Sequence, residues 1–146
     1  EQQTLAELCK RIGLETKKGK SKMKNKIEMG LRIVIGALLL MSGLNKFFNF
    51  MPTPEMTESA GLFMMALGET GYIFPVIAII EIVGAGLLIS GKMVPFALVI
   101  LAPIMVNIAL LHIVLDPAGM GMALFLIATT GWFAWNRKES FVGLFG

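Results

Sequence analysis

Apolar residues fall into four long blocks separated by short polar breaks. The first block runs from about Met29 to Phe50, with Ile33-Val-Ile-Gly-Ala-Leu-Leu-Leu-Met-Ser-Gly-Leu44 at its core. The second covers Tyr72 to Ser90, the third Val94 to Leu115 and the fourth roughly Met120 to Trp135. Each approaches the ~20 apolar residues that a helix needs to cross a bilayer. The breaks are strong ones. Met51-Pro-Thr-Pro54 removes backbone donors and disfavours helix, Gly91-Lys92 makes a tight turn, and Asp116-Pro-Ala-Gly119 is a clear turn signal. Residues 55–68 are apolar but interrupted by Glu55, Thr57, Glu58, Ser59 and Gly61. That segment is too short to span and suits a re-entrant or interfacial helix. The pattern predicts an all-α integral membrane four-helix bundle with a short interfacial helix between the first and second spans.

Ahead of the first span, residues 1–26 form a polar, basic tail. Thr4-Leu-Ala-Glu7 reads as a capping box, and Leu5, Leu8, Cys9 and Ile12 share one helical face, with Gly13 able to stop the turn. A short amphipathic helix is expected there, followed by six lysines between Lys17 and Lys26 that act as a topology signal and attract anionic lipid. Residues 27–138 make up the membrane domain, and 139–146 a short C-terminal tail. No cleavable signal peptide is expected, because the first apolar run is too long and lacks a small-residue cleavage site.

The composition agrees with a membrane chain: 55% of the 146 residues are hydrophobic, and the mean hydropathy is +0.74. A net charge of +3 does not point to nucleic acid, since twelve of the thirteen Lys and Arg residues flank apolar runs on one side. The positive-inside rule then puts the amino-terminal tail, the Lys92 turn and the Arg137-Lys138 end in the cytoplasm, giving an N-in/C-in topology. Lys46 is the exception, on the side that holds Glu55, Glu58, Glu69 and Asp116. One cysteine and one histidine exclude an internal disulfide, a CxxC pair, a multi-cysteine metal site and bis-histidine haem ligation within one chain. No metal site is expected, and no cofactor held by this chain alone.

Glu81 is the outstanding polar residue, alone in the second apolar block. A carboxylate in a membrane span is expensive unless it is paired or faces a cavity. At ~1.5 Å per residue it lies on the order of 13 Å below the outer surface. Asn107 falls at a similar depth on the third span, and Ser42, Asn45 and Lys46 fall in the same half on the first. His112 lies about one turn below the surface, where it is expected either to pair with Asp116 four residues on or to sit in the headgroup region, rather than to act in catalysis. Two readings fit. Lys46 and Glu81 form a buried pair with Asn107 as glue, each polar contact contributing about 0.6 to 2 kcal/mol, or these groups line a pocket for a polar headgroup. Gly36 and Gly43 on the first span, and Gly84 and Gly86 on the second, are expected to let helices pack closely. Pro103 is expected to kink the third span.

Arg32-Ile-Val-Ile-Gly36, Ser42-Gly-Leu-Asn-Lys46, Glu81-Ile-Val-Gly-Ala-Gly-Leu-Leu88 and the stretch from Asn107 through His112 to Gly119 resemble DoxX-family proteins, over residues 29–138 approximately. The resemblance implies a small four-helix protein of the bacterial cytoplasmic membrane, with Arg32, Lys46, Glu81, Asn107 and His112 as its polar centre. The family takes its name from a subunit of a thiosulfate:quinone oxidoreductase. Three functions are therefore carried forward: an accessory, quinone-facing subunit of a membrane oxidoreductase; a binder or transporter of a small amphipathic molecule; and a structural or assembly subunit. Membrane lipid and other membrane subunits are the expected partners, with quinone as the cofactor class.

Overall fold

A computed structural model describes residues 2–52 and 54–145, with side chains described for 22–52 and 54–141. Every regular element among the described residues is helical: α1 (Gln2–Phe48), α2 (Glu58–Glu69), α3 (Ile73–Ser90), α4 (Val94–Leu110), a π-helical turn (Leu111–Leu115), a short 3-10 turn (Pro117–Gly119), α5 (Met120–Asn136) and α6 (Lys138–Phe145). Four stretches are long and apolar enough to cross a membrane: Lys22–Phe48, Ile73–Ser90, Val94–Leu115 and Pro117–Asn136. They agree with the four sequence blocks. The chain forms a four-helix membrane bundle.

Two compact units divide between Leu31 and Arg32. In the first, α1 is helical through Gly13, where a stop was expected. A glycine in mid-helix costs only about 1 kcal/mol, and extending a helix that already exists needs no new nucleus. The expected apolar face of Leu5, Leu8, Cys9 and Ile12 lies outside the described side chains. After Arg137 the chain is helical again, with α6 over Lys138–Phe145.

In the second unit α1 and α3 meet along a small-residue seam. A Cβ on Gly43 would lie 2.8 Å from Ile82 Cγ1 and 3.0 Å from the Ala78 carbonyl, and one on Gly36 would lie 2.5 Å from Ile89 Cγ1 and 3.2 Å from the Ala85 carbonyl. Ala78 and Ala85 are both fully buried. Gly36 faces Ala85 and Gly43 faces Ala78, so two pairs spaced seven residues apart keep the backbones close over two turns. Lipid tails are as apolar as the side chains, so this contact is held by dispersion rather than by expulsion of water. On the other side of α3, Gly84 receives Leu101 of α4, whose Cγ would sit 2.7 Å from an added Cβ. Gly86 departs from the expectation: it is exposed, and nothing lies within 4 Å of an added Cβ.

The α3–α4 turn shows why glycine stands at residue 91. Gly91 has φ +72° and caps α3 by donating to the Leu87 and Leu88 carbonyls at 3.1 and 3.2 Å. An added Cβ there would also meet the Arg32 guanidinium at 2.9 Å. Arg32 thus lies against the carboxyl end of α3, where the helix dipole favours a cation. Helix α4 continues through Pro103. Its buried side, Val94, Ala97, Leu98, Leu101, Ile104 and Met105, faces the bundle.

Replacing Gly43 with Leu should push α1 off α3 and destabilise the bundle by about 1 to 3 kcal/mol, the usual range for overpacking. Gly86→Ala should leave stability within about 0.5 kcal/mol. Thermal unfolding in detergent, measured on both variants, distinguishes the two glycines.

Candidate functional site

The seam at Gly43 sets the spacing for the polar contact beside it. With a Cβ on Gly43 only 3.3 Å from the Glu81 Cβ, the Glu81 carboxylate is carried onto the α1 surface one turn before Lys46. Lys46 Nζ donates to Glu81 Oε2 at 2.7 Å and to Ser42 Oγ at 2.9 Å. The Glu81 side chain is only 2% exposed, and that of Lys46 is 21% exposed. The pair is therefore asymmetric. Its acid is enclosed by helices, while its base sits at the rim and is reachable from outside the bundle. An ammonium carries three donors, two of which are used here.

The other residues singled out from the sequence lie elsewhere. Asn45 turns back along its own chain and accepts from the Met51 backbone N–H at 2.7 Å, closing the end of α1. Asn107 is exposed on α4 and does not join Lys46 and Glu81. Equal depth does not bring it to the cluster, because the buried stripe of α4 passes from Ile104 to the half-buried Ile108 and leaves residue 107 to one side.

His112 belongs to a second polar cluster. The third span ends in a π-helical turn, with Asp116 N–H bonded to the Leu111 carbonyl at 3.0 Å. Turns of this kind are frequent at functional sites. His112 Nδ1 lies 3.1 Å from the Asp116 carbonyl oxygen and 3.3 Å from its Oδ2. Gly119 closes over both, since a Cβ there would overlap the His112 ring at Cε1 and lie 2.9 Å from Asp116 Oδ2. Asp116 is buried, and its Oδ1 has no hydrogen-bond partner among the described residues. The i, i+4 spacing gave the pairing of His112 with Asp116 as one sequence reading, but burial of the carboxylate under Gly119 was not visible in it. Helix α2 is fastened to the same place. The hydroxyls of Thr57 and Ser59 both donate to the Leu115 carbonyl, the second at 3.5 Å, while Thr57 Oγ1 accepts from the Ala60 N–H at 3.4 Å as the cap of α2.

Away from these clusters the two threonines of α5 are self-contained. Thr129 and Thr130 each donate to a carbonyl one turn back in α5. Among the described residues no group of three or more His, Cys, Asp or Glu side chains has the arrangement of a metal centre.

Glu81→Ala should destabilise the bundle more than the combined Glu81→Gln and Lys46→Met replacement. The single change leaves an ammonium at the edge of an apolar site without its acid. Loss of one partner of a buried pair costs about 3 to 5 kcal/mol, and the 21% exposure of Lys46 brings the expected value below that range. Melting of both proteins in detergent tests the order, and a more stable single variant would contradict the pairing. At the second cluster, Gly119→Ala should drive the His112 ring from Asp116. This is readable as a shift of the His112 ring resonances in an NMR spectrum, which carries one histidine per chain.

The comparisons with known proteins bear on the same segment. No curated protein and no solved structure gives a significant match to the chain. The DoxX family profile matches residues 28–114, more than half of the sequence, and spans α1 from Glu28 through Val114 within the π-helical turn. The matched region contains Arg32, the Gly36–Gly43 seam, Lys46, Glu81 and His112. This chain is a multi-pass membrane protein of the DoxX family.

Proposed function

We propose that the protein is an accessory subunit of a membrane oxidoreductase complex in the bacterial cytoplasmic membrane, and that it presents the Lys46–Glu81 pair to a quinone. The observation that carries this reading is the asymmetry of the pair, with an enclosed carboxylate and a partly exposed ammonium that retains a donor. A quinone carbonyl accepts hydrogen bonds and gains negative charge on reduction. A rim ammonium is suited to that charge, and the carboxylate behind it can accept or return a proton through the same contact. The chain has one cysteine and one histidine, so the electrons come from a partner subunit. The role of this chain is to hold the quinone head. The excess of Lys and Arg at the tail, the Lys92 turn and the Arg137-Lys138 end supports an N-in/C-in topology, with the pair in the outer half of the bilayer.

Quinone extracted from the purified protein and quantified by chromatography tests this. The wild type should retain it, and Lys46→Met should lower retention by about tenfold or more, the loss expected for a charge-assisted hydrogen bond. Glu81→Gln should lower it as well, and because the Gln carbonyl still accepts from Lys46 it should melt closer to the wild type than Glu81→Ala does. If no quinone is retained, and a partner complex keeps its activity when both residues are replaced, the pair serves only to join helices. Flux of a small amphipathic solute into liposomes without quinone binding would favour a transporter instead.

A further inference from the structure

Ser42 stands apart from the other hydroxyls of the described membrane spans. Ser90, Thr129 and Thr130 each donate to a carbonyl of their own helix, three or four residues back. That is how a helical hydroxyl meets its needs where water is absent. Ser42 makes no such bond. Its Oγ accepts from Lys46 Nζ at 2.9 Å, and this is its one hydrogen bond among the described residues. The hydroxyl proton is left over, on a half-buried side chain that can be approached from outside the bundle.

The spacing of the free donors limits what can accept from them. Lys46 has one N–H to spare beyond those given to Ser42 and Glu81. It lies beside the Ser42 O–H, one turn away on the same face of α1. The two donor atoms are 2.9 Å apart. That is too close for both to reach a single oxygen along its diverging lone pairs. It suits two near-parallel bonds to oxygens on neighbouring carbons. A bond received from an ammonium also polarises the Ser42 hydroxyl and makes it a better donor. The buried Glu81 carboxylate already balances the Lys46 charge, so a neutral pair of oxygens fits better than a phosphate or a carboxylate.

On the quinone reading of the Lys46–Glu81 pair, we infer that Ser42 sets which quinone is taken: one whose ring carbonyl is flanked by an ether or hydroxyl oxygen on the next ring carbon. Lys46 donates to the carbonyl, and Ser42 donates to the flanking oxygen. A quinone with only carbon at that position leaves the Ser42 proton unpaired in a largely apolar site, which costs affinity.

Equilibrium binding to the full chain in detergent tests this with two benzoquinones that share a decyl chain, one carrying methoxy groups and the other methyl groups in their place. The wild type should bind the methoxy form about 3- to 10-fold more tightly, the effect of one hydrogen bond between uncharged groups. Ser42→Ala should weaken the methoxy form and bring the two affinities together. Ser42→Thr, which keeps the hydroxyl, should retain the preference. Equal binding of both quinones by the wild type, with affinity still lost in Lys46→Met, overturns the role of Ser42 and leaves the quinone contact standing. So does a preference that survives Ser42→Ala. If neither quinone binds, the quinone contact itself falls, and the role of Ser42 with it.

Discussion

A carboxylate in the middle of a membrane helix has no water to turn to. Glu81, 2% exposed, meets that constraint through one neighbour, and the packing of α1 on α3 is arranged so that the neighbour can reach. Gly36 and Gly43 on α1 fit against Ala85 and Ala78 on α3. The closeness they permit carries the Glu81 carboxylate to within 2.7 Å of the Lys46 ammonium. The two features support each other. Without the seam, the acid would be stranded from its base. Without the ion pair, a helix bearing an acid would have little reason to remain against α1, since apolar contact between helices in lipid is scarcely better than contact with lipid itself.

Polar chemistry elsewhere in the bundle follows the same economy. At the end with the α3–α4 turn, the Arg32 guanidinium lies over Gly91, whose left-handed backbone finishes α3. At the opposite end, the hydroxyls of Thr57 and Ser59 hold the start of α2 to the Leu115 carbonyl beside the His112–Asp116 cluster. Between the ends, Thr129 and Thr130 bond to their own helix. Asn107 departs from this pattern, because its amide is directed to the outside of the bundle.

The four spans were legible because length and hydropathy alone define a membrane crossing, and Pro52, Pro54, Gly91 and Pro117 mark their limits in any context. The Glu81–Lys46 contact could be anticipated from depth, since one residue from each of two spans shared a level and a long lysine stem can cover the remaining distance. Depth is one coordinate, however, and rotation about a helix axis is another. Asn107 shares the level of Glu81 but lies on a different side of its helix, and a uniformly apolar span such as α4 gives no amphipathic stripe from which to read rotation. Gly86 was grouped with Gly84 for the same reason, although two residues along a helix point roughly 200° apart. The helical state of residues around Gly13 escaped sequence reading because a single glycine is a weak stop once a helix is already propagating.

A π-helical turn is an α-helix that holds one residue more than its hydrogen bonding needs. The segment Leu111–Leu115 can therefore be regarded as a length mismatch retained within the third span, with the His112–Asp116 contact built upon it. Deleting one residue there would let ordinary α-helix run through to the Asp116 turn with little change of phase between the two flanks, because the widened turn already absorbs the extra residue. Asn107 and the apolar face of α4 would keep their bearing on α5, while the His112–Asp116 contact would lose the widened turn that carries it. The surplus residue thus shapes the cap locally without turning the helix below it.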